Sequence, residues 1–248
     1  MNLKWVWFDL GYTLVYLKRE SHFQNAIKAL GIYREHKDIH YGFHLTDKLF
    51  MRDYKGYLAK ERDEFMPLYM KKLFEFLHIK DDECNINKVL MGYYYFQEGQ
   101  EKEERRKWHA YKDSKNVLAM LKNDSKKVGL ISNWDMTARN VLKVNELYDF
   151  FDEIVISSEV NIEKPRKEIF DIAMKRTNAI PKECLYVGDN YYDDAVGSSR
   201  IGMNSVIINS YELAGIEEVK NVDIIPNIRY LPEYIKRIEN GSCEKLNN

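Results

Sequence analysis

The stretch Leu3-Lys4-Trp5-Val6-Trp7-Phe8-Asp9-Leu10-Gly11-Tyr12-Thr13-Leu14 is an apolar run of aromatic and branched residues that stops abruptly at a carboxylate and a glycine. Such a run, too short for a buried helix and bounded by turn chemistry, reads as a buried strand ending near Asp9. Runs of the same kind recur at Val128 to Ile131, Ile154 to Ile156, Leu185 to Val187 and Val206 to Ile208, each followed by polar residues or Gly. Helical patterns lie between them. Val117, Leu118 and Leu121 follow a candidate N-cap at Asp113, and Ile169, Ile172 and Ala173 follow Pro165. Alternating strands and helices predict an α/β fold with a parallel sheet.

From Leu17 to Trp108 the alternation ceases, and several helical periodicities separate the first strand from the second. Met66, Tyr69, Met70, Leu73, Phe74 and Leu77 share one helical face, with Pro67 expected in the first turn. A second helix after Asp81 and Asp82 would bury Ile86, Val89, Leu90 and Tyr93. The run Glu101 to Lys107 pairs opposite charges at i,i+4 and reads as a solvated helix face. Arg52, Lys55 and the aromatic cluster Tyr93 to Phe96 are read as surface charge and core packing. The expected organisation is therefore a core from 1–16 and 109–239, an inserted all-helical domain at 17–108, and a polar tail at 240–248.

The 248 residues carry 38 basic and 39 acidic side chains, a net charge of −1, with 45% hydrophobic residues, 12 Gly and 5 Pro. This is globular composition, and it excludes disordered, collagenous and low-complexity classes. Near-neutral charge supplies no field for nucleic acid or anionic membranes, so neither is an expected partner. No apolar run approaches membrane length, and the three cysteines Cys84, Cys184 and Cys243 form neither a disulfide framework nor a metal cluster. A cytoplasmic protein, monomeric or a small homo-oligomer, with a small molecule as ligand is the expectation.

Four segments carry chemistry. Asp9 and Thr13 follow the first strand, and Ser132 and Asn133 follow the second, offering a carboxylate, hydroxyls and N–H groups at the carboxyl-terminal sheet edge where open parallel sheets bind ligands. Lys164-Pro165 precedes a helix, and Gly188-Asp189-Asn190-Tyr191-Tyr192-Asp193-Asp194 ends another strand in an acidic loop. Each segment alone has an ordinary reading as a turn, cap or surface residue. Their order does not.

That order resembles the haloacid dehalogenase superfamily of phosphohydrolases, whose motifs run D-x-D-x-T, S/T, K and G-D-x-x-x-x-D. Here they correspond to Asp9 to Thr13, Ser132, Lys164 and Gly188-Asp189 to Asp194, and the stretch Ser158 to Pro165 with Ile169-Phe170 is similar to the surroundings of the superfamily's lysine. The resemblance covers Met1 to Tyr16 and Tyr111 to Asn209. It implies a doubly wound, Rossmann-like parallel sheet with the helical insertion as a cap, and a site in the cleft between them. It also implies a nucleophile in Asp9, which would form an aspartyl phosphate on a small phosphorylated metabolite. Mg²⁺ would be held by Asp9, the Gly11 carbonyl, Asp189 and Asp194, or its neighbour Asp193. Lys164 would neutralise Asp9 and the transferring group, and Ser132, the Asn133 N–H and Thr13 would serve the phosphoryl oxygens.

One position departs from the pattern. The superfamily's phosphatases usually carry a second Asp two residues after the nucleophile as acid and base, and this chain has Gly11. The metal would lose nothing, since that position offers a carbonyl, but acid–base catalysis of about a hundred- to ten-thousand-fold would lose its side chain. Water, Tyr12 or His22 could carry the proton instead. Two alternatives to a phosphatase follow. One is a haloacid dehalogenase, which also lacks the second Asp but needs no metal and no acidic loop. The other is a phosphate-binding regulatory protein that has lost turnover.

Overall fold

The computed structural model describes residues 2–57, 60–80, 83–99 and 108–241. Asp81, Asp82, the charged run 101–107 and most of the polar tail lie outside the described residues. The chain divides into two compact units, one of 1–16, 108–213 and 218–248, the other of 17–107 and 214–217. Trp108 thus falls with the sheet rather than with the insertion, and a short segment far along the chain, 214–217, groups with the helices.

In the first unit six parallel strands form one sheet: β1 (Trp5–Phe8), β4 (Lys127–Ser132), β5 (Glu153–Ile156), β6 (Cys184–Gly188), β7 (Asn204–Ile208) and β8 (Asp223–Ile225), in the order β5-β4-β1-β6-β7-β8. The first five fall on the expected apolar runs. Their central residues are 0–8% exposed, which is why they read as near-continuous hydrophobic stretches. The edge strand β8 is shorter, and its three residues Asp-Ile-Ile carry too little pattern to be read. An additional antiparallel pair, β2 (Val15–Tyr16) with β3 (His109–Ala110), stands where the inserted residues begin and end.

Helices α5 (Ser114–Asn123), α6 (Ala138–Val144), α7 (Ser157–Val160), α8 (Lys167–Thr177), α9 (Val196–Ser199) and α10 (Leu231–Glu239) complete this unit. Val117, Leu118 and Leu121 are buried as expected, but the Asp113 side chain makes no capping bond. The Ser114 hydroxyl donates instead to the Leu14 carbonyl at 2.8 Å, tying α5 to the loop that follows β1. Trp7 lies flat on β4 because Gly129 has no side chain; a Cβ there would stand 2.2 Å from the ring.

The second unit holds α1 (Arg19–Ala29), α2 (His36–Asp53), α3 (Arg62–Phe76) and α4 (Glu83–Gly99) around its own core. The stripe Met66, Tyr69, Met70, Leu73, Phe74 and Leu77 is 0–7% exposed, and Ile86, Val89, Leu90 and Tyr93 are buried beside it. Because α3 begins at Arg62, Pro67 sits in its second turn and not its first, removing one bond from the helical ladder. His22 packs edge-on against Tyr93 at 6.4 Å, Arg52 pairs with its neighbour Asp53, and the side chains of Tyr95 and Phe96 lie outside the described residues. Among the described residues no helix is long and apolar enough to cross a membrane.

Candidate active site

Strand register decides which side chains meet. Phe8 is level with Leu130 on one neighbour and Val187 on the other. Asp9 therefore emerges at the central strand's carboxyl edge between Ser132 and Asp189, where strand order changes direction and open α/β sheets place their ligands. The Ser132 hydroxyl, 1% exposed, donates to Asp9 Oδ1 at 2.8 Å.

Lys164 reaches the same oxygen. Its ammonium, on a side chain 3% exposed, donates to Asp9 Oδ1 at 2.8 Å and to Asp194 Oδ1 at 2.6 Å. Burial alone would lower the lysine pKa, but the Asp194 and Asp9 carboxylates overcome that and hold it well above the ordinary value. Lys164 is thus a fixed positive charge.

The acidic loop folds around Asn190, whose side-chain oxygen accepts from the Tyr192 and Asp193 N–H groups and whose Nδ2 donates to Asp193 Oδ2 at 2.8 Å. This caps a wide π-helical turn, Tyr191–Ala195, and turns Asp194 back under the strand end, where the Asn190 N–H donates to Asp194 Oδ2 at 2.9 Å. Asp9, Asp189 and Asp194 each bring a carboxylate oxygen within 4.8 Å of the others. Asp193 is not in that group, and burial pushes its carboxyl up to about 7. Three carboxylates against one ammonium leave excess negative charge, and an oxygen-only donor set fits a hard divalent cation.

The expectation for Asn133 concerns its backbone N–H; its side chain has a separate part. Its side chain clamps the main chain of Lys164, accepting from the Lys164 N–H at 2.7 Å and donating to the Lys164 carbonyl at 3.0 Å. Thr13 is 1% exposed, and among the described residues its hydroxyl has no hydrogen-bond partner. Gly11 lies in the tight turn closed by the Leu14 N–H donating to the Leu10 carbonyl at 2.9 Å.

The model of the haloacid dehalogenase-like hydrolases matches residues 39–208, a stretch that takes in Ser132, Lys164, Asp189 and Asp194 and begins after Asp9. The chain belongs to this family. Over 133 residues, 50% of this chain and 58% of the relative, it is 33% identical to the glyceraldehyde 3-phosphate phosphatase of Methanothermobacter thermautotrophicus. Over 140 residues, 54% of this chain and 58% of the relative, it is 30% identical to the enzyme of that name from Pyrococcus furiosus. The chain thus spans under two thirds of the length of these curated relatives. The HAD-hydrolase YfnB from Bacillus subtilis, solved bound to magnesium, superposes with a TM-score of 0.60 at 17% identity, covering 95% of this chain and 99% of that one, which is a likeness of fold.

This haloacid dehalogenase-like hydrolase surrounds Gly11 with aromatic rings. A Cβ on Gly11 would stand 3.1 Å from Trp134 and 3.7 Å from Trp108. The two indoles pack 4.7 Å apart, and Tyr12, at φ +51°, sets its ring edge-on to Trp108 at 5.3 Å. Beyond its own chain neighbours, Trp134 is the first group a larger residue at 11 would meet. Sequence reasoning singled out neither indole, nor Asn190, nor Tyr186, because buried and half-buried aromatics and a loop amide look like ordinary packing and turn chemistry. For Asn190, its place directly after Asp189 and before a turn was the available signal.

Proposed function

We propose that the chain is a phosphatase that hydrolyses a small phosphate monoester with the help of Mg²⁺. The observation that carries this reading is the Lys164 ammonium held between Asp9 and Asp194 while Asp9, Asp189 and Asp194 converge within 4.8 Å. Asp9 Oδ attacks phosphorus, the bond from phosphorus to the ester oxygen breaks, and the departing oxygen takes a proton from water, since Gly11 offers none. Water then attacks the aspartyl phosphate, releasing inorganic phosphate and a proton to solvent and restoring the Asp9 carboxylate. Lys164 and the Ser132 and Thr13 hydroxyls offset the charge on the transferring group, which is most of what phosphoryl transfer asks of a protein. Asp9, Asp189, Asp194 and the Gly11 carbonyl would hold Mg²⁺, which would supply the positive charge that lets a phosphate approach three carboxylates.

The activity for which the relatives are named makes glyceraldehyde 3-phosphate one substrate to include, beside other phosphorylated metabolites and an aryl phosphate. The test is phosphate release across such a panel with Mg²⁺ and after chelation. Release that stops on chelation and returns with Mg²⁺ is expected. Halide release from a 2-haloacid, undiminished by chelator, would replace this reading with dehalogenation. Silence across both panels would leave a phosphate-binding protein.

A further inference from the structure

The Lys164 ammonium has three protons and three acceptors. Two are the Asp9 and Asp194 carboxylates, at 2.8 and 2.6 Å; the third is the phenol oxygen of Tyr186, at 3.1 Å. Tyr186 is 0% exposed, with its ring edge-on to Phe170 at 5.5 Å. Its hydroxyl proton goes to the Ile131 carbonyl at 2.5 Å. Ile131 precedes Ser132, whose hydroxyl returns to Asp9. One phenol thereby joins β6, β4 and the lysine in a closed loop of contacts. At the other end of Lys164 the Asn133 carboxamide holds both main-chain polar groups.

The geometry points to Tyr186 and Asn133 as positioning residues that hold Lys164 at its two ends and keep its ammonium on Asp9. A free lysine side chain loses rotamer entropy on being fixed. Its ammonium would follow the stronger pull, which comes from Asp194, wholly buried, rather than from Asp9, whose side chain is 13% exposed. A neutral acceptor in a third fixed direction prevents that drift without adding charge. Burial pushes the Tyr186 phenol well above its ordinary pKa, so it stays protonated and remains the donor to Ile131. The amide clamp fixes where the lysine side chain starts, and the phenol fixes where it ends.

This inference rests on the phosphatase reading for its consequence in turnover, but not for the contact itself. Two measurements therefore run together. In the first, kcat and KM for an aryl phosphate with Mg²⁺ are compared for wild type, Tyr186→Phe and Asn133→Ala, and single-turnover rates are repeated in a Lys164→Met background. The expected result is a loss of about ten- to a hundredfold in kcat with KM within about twofold, and no further loss once Lys164 is gone. In the second, the lysine ammonium resonances of ¹⁵N-labelled protein are recorded without substrate. A slowly exchanging Lys164 Nζ–H signal is expected in wild type and should vanish in Tyr186→Phe. Full kcat in both variants, or equal losses with and without Lys164, would overturn the inference. So would a Tyr186→Phe protein that keeps the protected signal. If no phosphate ester is turned over but the signal behaves as expected, the positioning role stands and the phosphatase reading fails. Asn133, half-exposed, gives a variant that leaves the core intact should Tyr186→Phe unfold.

Discussion

Gly188 and Asp194 occupy nearly the same space: a methyl group on Gly188 would lie 2.0 Å from Asp194 Oδ2 and 2.3 Å from its Cγ. The wholly buried carboxylate can tuck beneath the end of β6 only because position 188 carries no side chain. Gly188→Ala must therefore push Asp194 away from Asp9 and Asp189 or strain the strand, at a cost of about 1–3 kcal/mol. We expect Mg²⁺ affinity to fall at least about tenfold, with the melting temperature lowered by a few degrees. Calorimetric titration of the variant with Mg²⁺ checks this; unchanged affinity would show that Asp194 is not a ligand.

Lys164→Met leaves two carboxylates facing each other without their cation, and breaking a buried pair costs about 3–5 kcal/mol. A divalent ion can replace much of that countercharge. The variant should be markedly destabilised in chelator, recover most of its melting temperature in Mg²⁺, and still turn over about a hundred- to a thousandfold more slowly than wild type. Thermal unfolding with and without Mg²⁺, beside kcat, separates the two effects. A variant with wild-type activity would return Lys164 to a structural role.

Gly11 has indole on its open side, so Gly11→Asp alone should fold less stably because Trp134 stands 3.1 Å from the new Cβ. Pairing it with Trp134→Ala makes room. Without an acid at position 11, wild-type turnover should depend steeply on leaving-group basicity, favouring aryl over alkyl phosphates, and a phosphoenzyme on Asp9 should accumulate. The double variant should flatten that dependence, whereas Trp134→Ala alone should not. Rates over a series of substituted phenyl and alkyl phosphates, with acid-quenched phosphoenzyme, make the comparison. Equal rates across the series in wild type would mean that another group already supplies the proton.

His44 in α2 donates through Nε2 to the Ala214 carbonyl at 2.9 Å, and burial lowers its pKa from 6.5 to about 4. With a carbonyl as partner, the neutral ring must be the donor. Below pH 6.5 the unfolded chain gains a proton that the folded chain refuses until about pH 4. Stability of the helical unit is therefore lost as pH falls through that window, with a slope of at most about 1.4 kcal/mol per pH unit from this group. His40, whose pKa burial also lowers, adds in the same direction. Urea unfolding at pH 7 and pH 5 should show the loss, and His44→Gln, which keeps a donor for Ala214 but cannot titrate, should reduce it.

Much of this protein was legible in one dimension because parallel strands buried on both faces, and amphipathic helices, write their periods directly into the chain. The five longer strands, the helical stripe ending at Leu77, and the chemical residues standing at strand ends could all be read from composition and spacing. The edge strand Asp223–Ile225 could not, since three residues carry no period, and Pro67 fell a turn deeper than expected because propensity does not locate a helix start. Convergence was also beyond the sequence. Whether Asp193 or Asp194 faces Asp9 depends on how Asn190 closes a wide turn, and Asp194 fits only against the bare α-carbon of Gly188. Tyr186 and Asn133 meet Lys164 across separations of 22 and 31 residues, and Trp134 crosses 123 residues to cover Gly11. Local pattern records which face a residue buries; only strand register and packing decide which distant residue waits on the other side.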